Sequence, residues 1–131
     1  MAQYPAELKY TKDHEWARVQ DDGTVQVGVT AYAIEQLGDV VQVDLPDVGS
    51  EVAAHDHFGD IESVKTVSEL FAPIAGEIMA VNSELEDQPE LVNDSPYEGG
   101  WMIVLTPSNP ADVETLMDGA AYEVFLGSLD D

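Results

Sequence analysis

Residues 58–73 read Phe58-Gly59-Asp60-Ile61-Glu62-Ser63-Val64-Lys65-Thr66-Val67-Ser68-Glu69-Leu70-Phe71-Ala72-Pro73. Ile61 alternates with polar neighbours ahead of the lysine, Leu70 and Phe71 resume an apolar run behind it, and Pro73 and Gly76 close the segment. This pattern predicts a β-hairpin with its tip at Val64-Lys65-Thr66-Val67. No Gly or Asn stands there to supply the positive φ of a primed turn, so an ordinary type I geometry is expected. A lone lysine at such a tip is held outward on a stiff stalk, which is the display a covalently modified side chain needs.

The sequence on either side repeats. Gly38-Asp39-Val40-Val41-Gln42-Val43 returns 38 residues later as Gly76-Glu77-Ile78-Met79-Ala80-Val81. Ser50-Glu51-Val52 finds an echo in Pro89-Glu90-Leu91-Val92, and Phe58-Gly59-Asp60-Ile61 a looser one in Gly100-Trp101-Met102-Ile103. Two copies are too few for a solenoid, so the pattern points to two similar β units, about 38–64 and 67–105, closing on each other with quasi-twofold symmetry. Lys65 lies at their junction.

Further out, Asp21-Asp22-Gly23 is a turn between the extended segment holding Trp16, Ala17 and Val19 and the alternating Val25, Val27 and Val29, a second hairpin. Thr30 and Gly38 bracket a short helix over 31–37 as N-cap and C-terminal glycine, with Ile34 and Leu37 on one face. Val41, Val43 and Leu45 alternate before a turn at Pro46-Asp47-Val48-Gly49. Asn109-Pro110 opens a helix through Met117, with Val113, Leu116 and Met117 inward and Gly119 ending it. A second short helix covers Tyr122 to Leu126. The fold class is mainly β, with short helices near the N-terminal third and at the C-terminus, and a single domain is expected over 1–131, its β core about 8–106 and its helical tail about 109–127.

The chain has 131 residues, 27 acidic and 4 basic, for a formal net charge of −23. That balance argues against nucleic acid and against anionic membrane surfaces. The absence of cysteine removes disulfides, thiolate metal sites and Cys nucleophiles. Apolar runs are too short to span a membrane, and Met1–Pro5 resemble neither a secretory nor a transit leader, so a cytoplasmic location is expected. Lys9, Lys12 and Arg18 are balanced by Glu7, Asp13 and Glu15, which leaves Lys65 as the only base in residues 19–131. His14-Glu15 lacks the second histidine of a zincin helix, and His55-Asp56-His57, two imidazoles on the same side of an extended segment, reads as solvated loop, so no metal site is expected. No nucleophile elbow or phosphate loop is present, so the chain is not read as an enzyme.

Taken together, Tyr10-Thr11-Lys12-Asp13-His14-Glu15-Trp16, Gly28-Val29-Thr30, Gln36-Leu37-Gly38-Asp39-Val40-Val41, Leu45-Pro46-Asp47-Val48-Gly49, Glu62-Ser63-Val64-Lys65, Ala72-Pro73-Ile74-Ala75-Gly76-Glu77, Val81-Asn82, Leu91-Val92-Asn93, Ser95-Pro96-Tyr97 and Gly100-Trp101 resemble the H-protein family of the glycine cleavage system, over about residues 8–126. The resemblance implies a flattened β-barrel or sandwich of the lipoyl/biotinyl type. It implies lipoic acid in amide linkage to Lys65, with Glu62 and Gly76 at positions favoured by the lipoate ligase or octanoyl/lipoyl transferase. It implies a swinging-arm carrier that takes an aminomethyl group from a pyridoxal-phosphate glycine decarboxylase to a tetrahydrofolate-dependent aminomethyltransferase, and a dithiol to dihydrolipoyl dehydrogenase. The loaded arm would fold into a groove where Glu15 pairs with the ammonium. Gln36, where the family often has histidine, and Glu69, where aspartate is usual, would line the same groove. A monomer is expected. An octanoyl or lipoyl relay, or another lipoyl or biotinyl carrier domain, is the alternative. Biotinyl domains usually frame the lysine with methionines, whereas Val64 and Thr66 frame it here.

Overall fold

The two valine-rich hairpins and the repeat organise two antiparallel sheets. A computed structural model describes residues 8–129; Met1–Pro5, read above for a leader, lie outside the described residues. The chain order is β1 (Lys9–Tyr10), β2 (Glu15–Val19), β3 (Val25–Val29), α1 (Ala31–Leu37), β4 (Val40–Asp44), β5 (Glu51–Val52), β6 (His57–Ser63), β7 (Val67–Phe71), β8 (Gly76–Val81), α2 (Glu84–Asp87), α3 (Leu91–Asp94), β9 (Ile103–Pro107), a 3-10 helix (Pro110–Thr115) and α4 (Gly119–Leu129). One sheet has the order β1-β2-β3-β9-β8-β5 and the other β4-β6-β7. Val27, Ile78, Ile103 and Leu105 of the larger sheet share one buried cluster with Val43, Ile61 and Leu70 of the smaller. This is the mainly β, two-layer arrangement that period-two alternation demands when each sheet buries one face.

The register carries the repeat. The pairing of β4 with β6 shifts between Val40 and Gln42, and that of β8 with β9 shifts between Ile78 and Ala80, 38 residues on in each case. Each bulge turns its extra residue outward, so Val41 and Met79 are both about half exposed. The expected alternation of Val41, Val43 and Leu45 is therefore corrected: Val40 and Val43 are the buried pair. The units also exchange strands, since β5 joins β8 in the larger sheet and β7 joins β6 in the smaller. The echo of Ser50-Glu51-Val52 in Pro89-Glu90-Leu91-Val92 fails, because Leu91-Val92 lie in α3 and not in a strand like Glu51-Val52.

Thr30 caps α1 by accepting a hydrogen bond from the Ala33 N–H at 3.3 Å, and Gly38 ends it at φ 80°. At the other end the expected helix through Met117 is replaced by a 3-10 turn that stops at Thr115, with Leu116 already extended. Met117 is drawn into a two-way backbone bridge with Tyr10, at 2.7 and 3.0 Å, which is incompatible with helix. Val113 is buried, but Leu116 and Met117 are only partly so. Gly119 opens α4 instead of closing a helix: the Asp118 carboxylate accepts from the Ala121 N–H at 2.8 Å.

Candidate functional site

The β6–β7 hairpin ends in a two-residue loop, Val64-Lys65, with Glu62 opposite Val67 and the Ser63 N–H bonded to the Thr66 carbonyl at 2.8 Å. Neither Val64, Lys65 nor Thr66 has a positive φ. What replaces a primed turn is the Ser63 hydroxyl. It accepts from the Lys65 N–H (3.3 Å) and the Thr66 N–H (3.2 Å) and donates to the Thr66 carbonyl (3.2 Å). The Val64 N–H reaches across to the Asp39 carbonyl at 3.0 Å. Lys65 is exposed between exposed Val64 and Val67, and its stem passes over Gly38, where a Cβ would lie 3.6 Å from Lys65 Cε.

Beside this tip opens a cleft of about 370 Å³ between β2, α1 and β7. Glu15, Gln36 and Glu69 line it together, with Thr66 next to the lysine and an apolar wall of Val29, Leu37, Ile61 and Leu70. Glu15 is only 1% exposed. One carboxylate oxygen accepts from the Thr11 hydroxyl at 2.9 Å and the other from the Phe71 N–H at 3.1 Å. Burial nevertheless dominates and pushes its pKa up to about 8, against the lowering effect of those two bonds. Gln36 and Glu69 are exposed at the mouth.

Trp16, the next residue, projects from the other face of β2. Its indole donates to the Pro96 carbonyl at 2.8 Å and presses on Gly28, where a Cβ would come within 2.7 Å of the ring. It belongs to a second buried cluster with Leu8, Tyr10, Tyr122 and Leu126, which docks α4. His14, at φ 69°, links the two faces. It lines the cleft, packs against Tyr32 with the rings tilted and their centroids 4.5 Å apart, and places Nδ1 2.8 Å from the Tyr122 hydroxyl, which also meets Thr30 Oγ1 at 2.8 Å. Burial lowers the His14 pKa, against a smaller opposing effect of Asp13.

Sequence reasoning missed Asp13, His14, Tyr32 and Ser68 as cleft residues. Tyr32 was within reach, since it precedes Gln36 by one helical turn, as was Ser68, which shares strand parity with Thr66 and Leu70. Glu62 is exposed on β6 near the tip, whereas Gly76 follows β7 as that strand runs away from it. Gly76 has its own structural reason: a Cβ there would collide with the Thr106 carbonyl oxygen. His55 and His57 are both exposed. His55 turns through φ 70°, while His57 bonds Asp60 at 2.9 Å, which raises its pKa. Among the described residues no group of three or more potential ligands could hold a metal ion, and no helix is long and apolar enough to cross a membrane.

Comparison with known proteins gives one result at every level. The family model described as glycine cleavage H-protein matches residues 8–128. Similar relatives include the glycine cleavage system H proteins of Anaeromyxobacter sp. (strain K), 55% identical over 93% of this chain and 94% of that one, and of Chromobacterium violaceum, 52% identical over 98% and 100%. Among solved structures, a crystal structure of a glycine cleavage system H protein from Mycobacterium marinum superposes with a TM-score of 0.86 at 40% identity, covering 94% of this chain and 98% of that chain.

Proposed function

The chain belongs to the glycine cleavage H-protein family, and on that premise we propose that Lys65 carries lipoic acid in amide linkage and that the cleft beside it shelters the loaded end of the arm. As a family member the protein is a carrier in glycine cleavage. One observation supports this assignment of residues above the others: Thr66, adjacent to the exposed lysine, lines the same cleft as the buried Glu15.

The residues fit the group. A lipoyl-lysine arm extends roughly 14 Å at about 1.2–1.3 Å of advance per bond, enough to double back into the cleft or to reach a partner's active site. When attached, the group supplies a disulfide that can take up the aminomethyl cargo and a dithiol that can be reoxidised. The chain's own part is to present, orient and protect. Ser63 stiffens the base of the arm. Val29, Leu37, Ile61 and Leu70 offer an apolar wall and keep water from the cargo. Glu15 offers a carboxylate to an ammonium, and Gln36 and Glu69 supply polar contacts at the mouth.

The partners in this reading are the pyridoxal-phosphate glycine decarboxylase, the tetrahydrofolate-dependent aminomethyltransferase, dihydrolipoyl dehydrogenase, and the lipoate ligase or octanoyl/lipoyl transferase that loads Lys65, with Glu62 in its recognition surface and Gly76 positioned by backbone packing. Amide formation erases the last positive charge of residues 19–131, leaving an acidic body steered toward basic surfaces. We assign the working protein as a cytoplasmic monomer. The test is reconstitution with the decarboxylase and carboxyl-labelled glycine. The lipoylated chain should support release of label as carbon dioxide and Lys65→Arg should not; release by Lys65→Arg at the wild-type rate would refute the assignment.

A further inference from the structure

Glu15 is an unusual group to find beside an apolar wall. It is 1% exposed, and both of its hydrogen bonds come from neutral donors, the Thr11 hydroxyl and the Phe71 N–H, one to each oxygen. A carboxylate accepts at about four lone-pair sites, so each oxygen keeps a further position. The titratable side chains facing it around the cleft are Asp13 and His14 from the turn before β2, Tyr32 from α1 and Glu69 from β7, while β3 and β6 contribute only Val29 and Ile61. Among the described residues no lysine or arginine lines the cleft. Burial is the main cost of ionising Glu15, and the neighbouring Asp13 carboxyl adds to it. A buried charge without a partner is expensive enough that the group holds its proton instead.

We propose that Glu15 matches the charge of the cleft to its cargo by exchanging one proton for one ammonium. With an uncharged arm end in the cleft, Glu15 is a neutral carboxylic acid. When an arm end bearing a primary ammonium enters, the carboxylic acid O–H bond breaks, its proton leaves for solvent, and the resulting carboxylate accepts a hydrogen bond from the ammonium. The Glu15 pocket is neutral before the exchange and neutral after it. Emptying the cleft takes the proton back. The same cleft can thus hold the neutral dithiolane and the cationic cargo without leaving the Glu15 carboxyl an unpaired charge in either state. A permanently ionised glutamate would reject the first, and a fixed neutral side chain would leave the second unpaired. The shift of Glu15 to about 8 agrees with this geometry. The inference rests on the carrier reading above.

The test follows the Glu15 carboxyl carbon by 13C NMR in the full chain, its resonance identified by its loss in Glu15→Gln. Three samples are compared: unmodified chain, lipoylated chain with the disulfide closed, and dihydrolipoyl chain treated with formaldehyde and ammonium chloride. In the last, a thiol, formaldehyde and ammonium combine into an aminomethyl thioether in its ammonium form and one water. In the first two samples Glu15 should be protonated at pH 7, with its midpoint far above the carboxylate range. In the third it should be ionised at pH 7, its midpoint lower by about two pH units, with close to one proton released per chain loaded. Lys65→Arg, exposed to the same reagents, should show no change at Glu15, which separates an effect of the arm from one of the reagents. An ordinary carboxylate midpoint in the unmodified chain, or an unchanged protonation state on loading, overturns this inference and leaves the carrier function standing. Failure of Lys65 to accept lipoate overturns the carrier reading and this one with it. The titration is read on the wild-type chain, so it does not depend on the stability of any variant.

Discussion

Glu15 and Trp16 are neighbours on β2 and both are buried, but they face opposite sides of the strand and their burial means opposite things. Trp16 has its one polar atom satisfied by Pro96, its ring packed on Gly28, and α4 docked against the cluster it anchors. Its burial stabilises the fold. Glu15 has neutral hydrogen bonds but, among the described residues, no counter-charge, and burial raises its pKa to about 8. Its burial costs stability at neutral pH and above, which is the mark of a group kept for what enters the cleft. Two adjacent residues thus divide the work: one holds the scaffold, the other waits for cargo.

That contrast can be broken most forcefully at Trp16. Trp16→Ala should cost about 3–5 kcal/mol in urea unfolding, a large share of the ~5–15 kcal/mol of a typical domain, while leaving the residues of the cleft itself unchanged. A loss under about 1 kcal/mol would show that the aromatic cluster is not an anchor.

Glu15→Gln sharpens the other side. Because the folded pKa of Glu15 lies above its unfolded value, its proton-linked contribution is fully present below about pH 4.5 and is lost as pH rises through about 8. Wild type should therefore lose stability relative to Glu15→Gln between pH 5 and pH 9, by roughly 2–5 kcal/mol. All other titrating groups are shared and cancel in the difference. Parallel stability curves for the two proteins would place Glu15 in water and remove the contrast.

Ser63→Ala, at the tip, should be the mildest, about 1 kcal/mol for three long hydrogen bonds. Hydrogen exchange at the Thr66 amide should quicken while exchange in β2 stays as it was. Equal acceleration in both places would mean that the tip is not a local device.

Most of the scaffold was legible because it rests on short-range physics. Alternating valines, a Thr cap, a terminal glycine and a 38-residue repeat are local signals, and Lys65 stood out through charge depletion alone. Val41 was misplaced because a bulge inverts strand parity without any residue that announces it. The helix over 109–117 was overextended because the bridge from Met117 to Tyr10 joins residues more than a hundred positions apart. The cleft was partly legible: Glu15, Gln36 and Glu69 came from resemblance, while Asp13, His14, Tyr32 and Ser68 depend on how β2, α1 and β7 meet in space.

Whether Lys65 is the arm is read most directly by peptide-resolved mass analysis after coexpression with a lipoate-attaching enzyme. Lys9 and Lys12 serve as internal controls in the same chain. The peptide containing Lys65 should gain about 188 Da, the mass of a lipoyl amide, and neither of the others should gain it. An unmodified Lys65, or an adduct carried by Lys9 or Lys12, would contradict it.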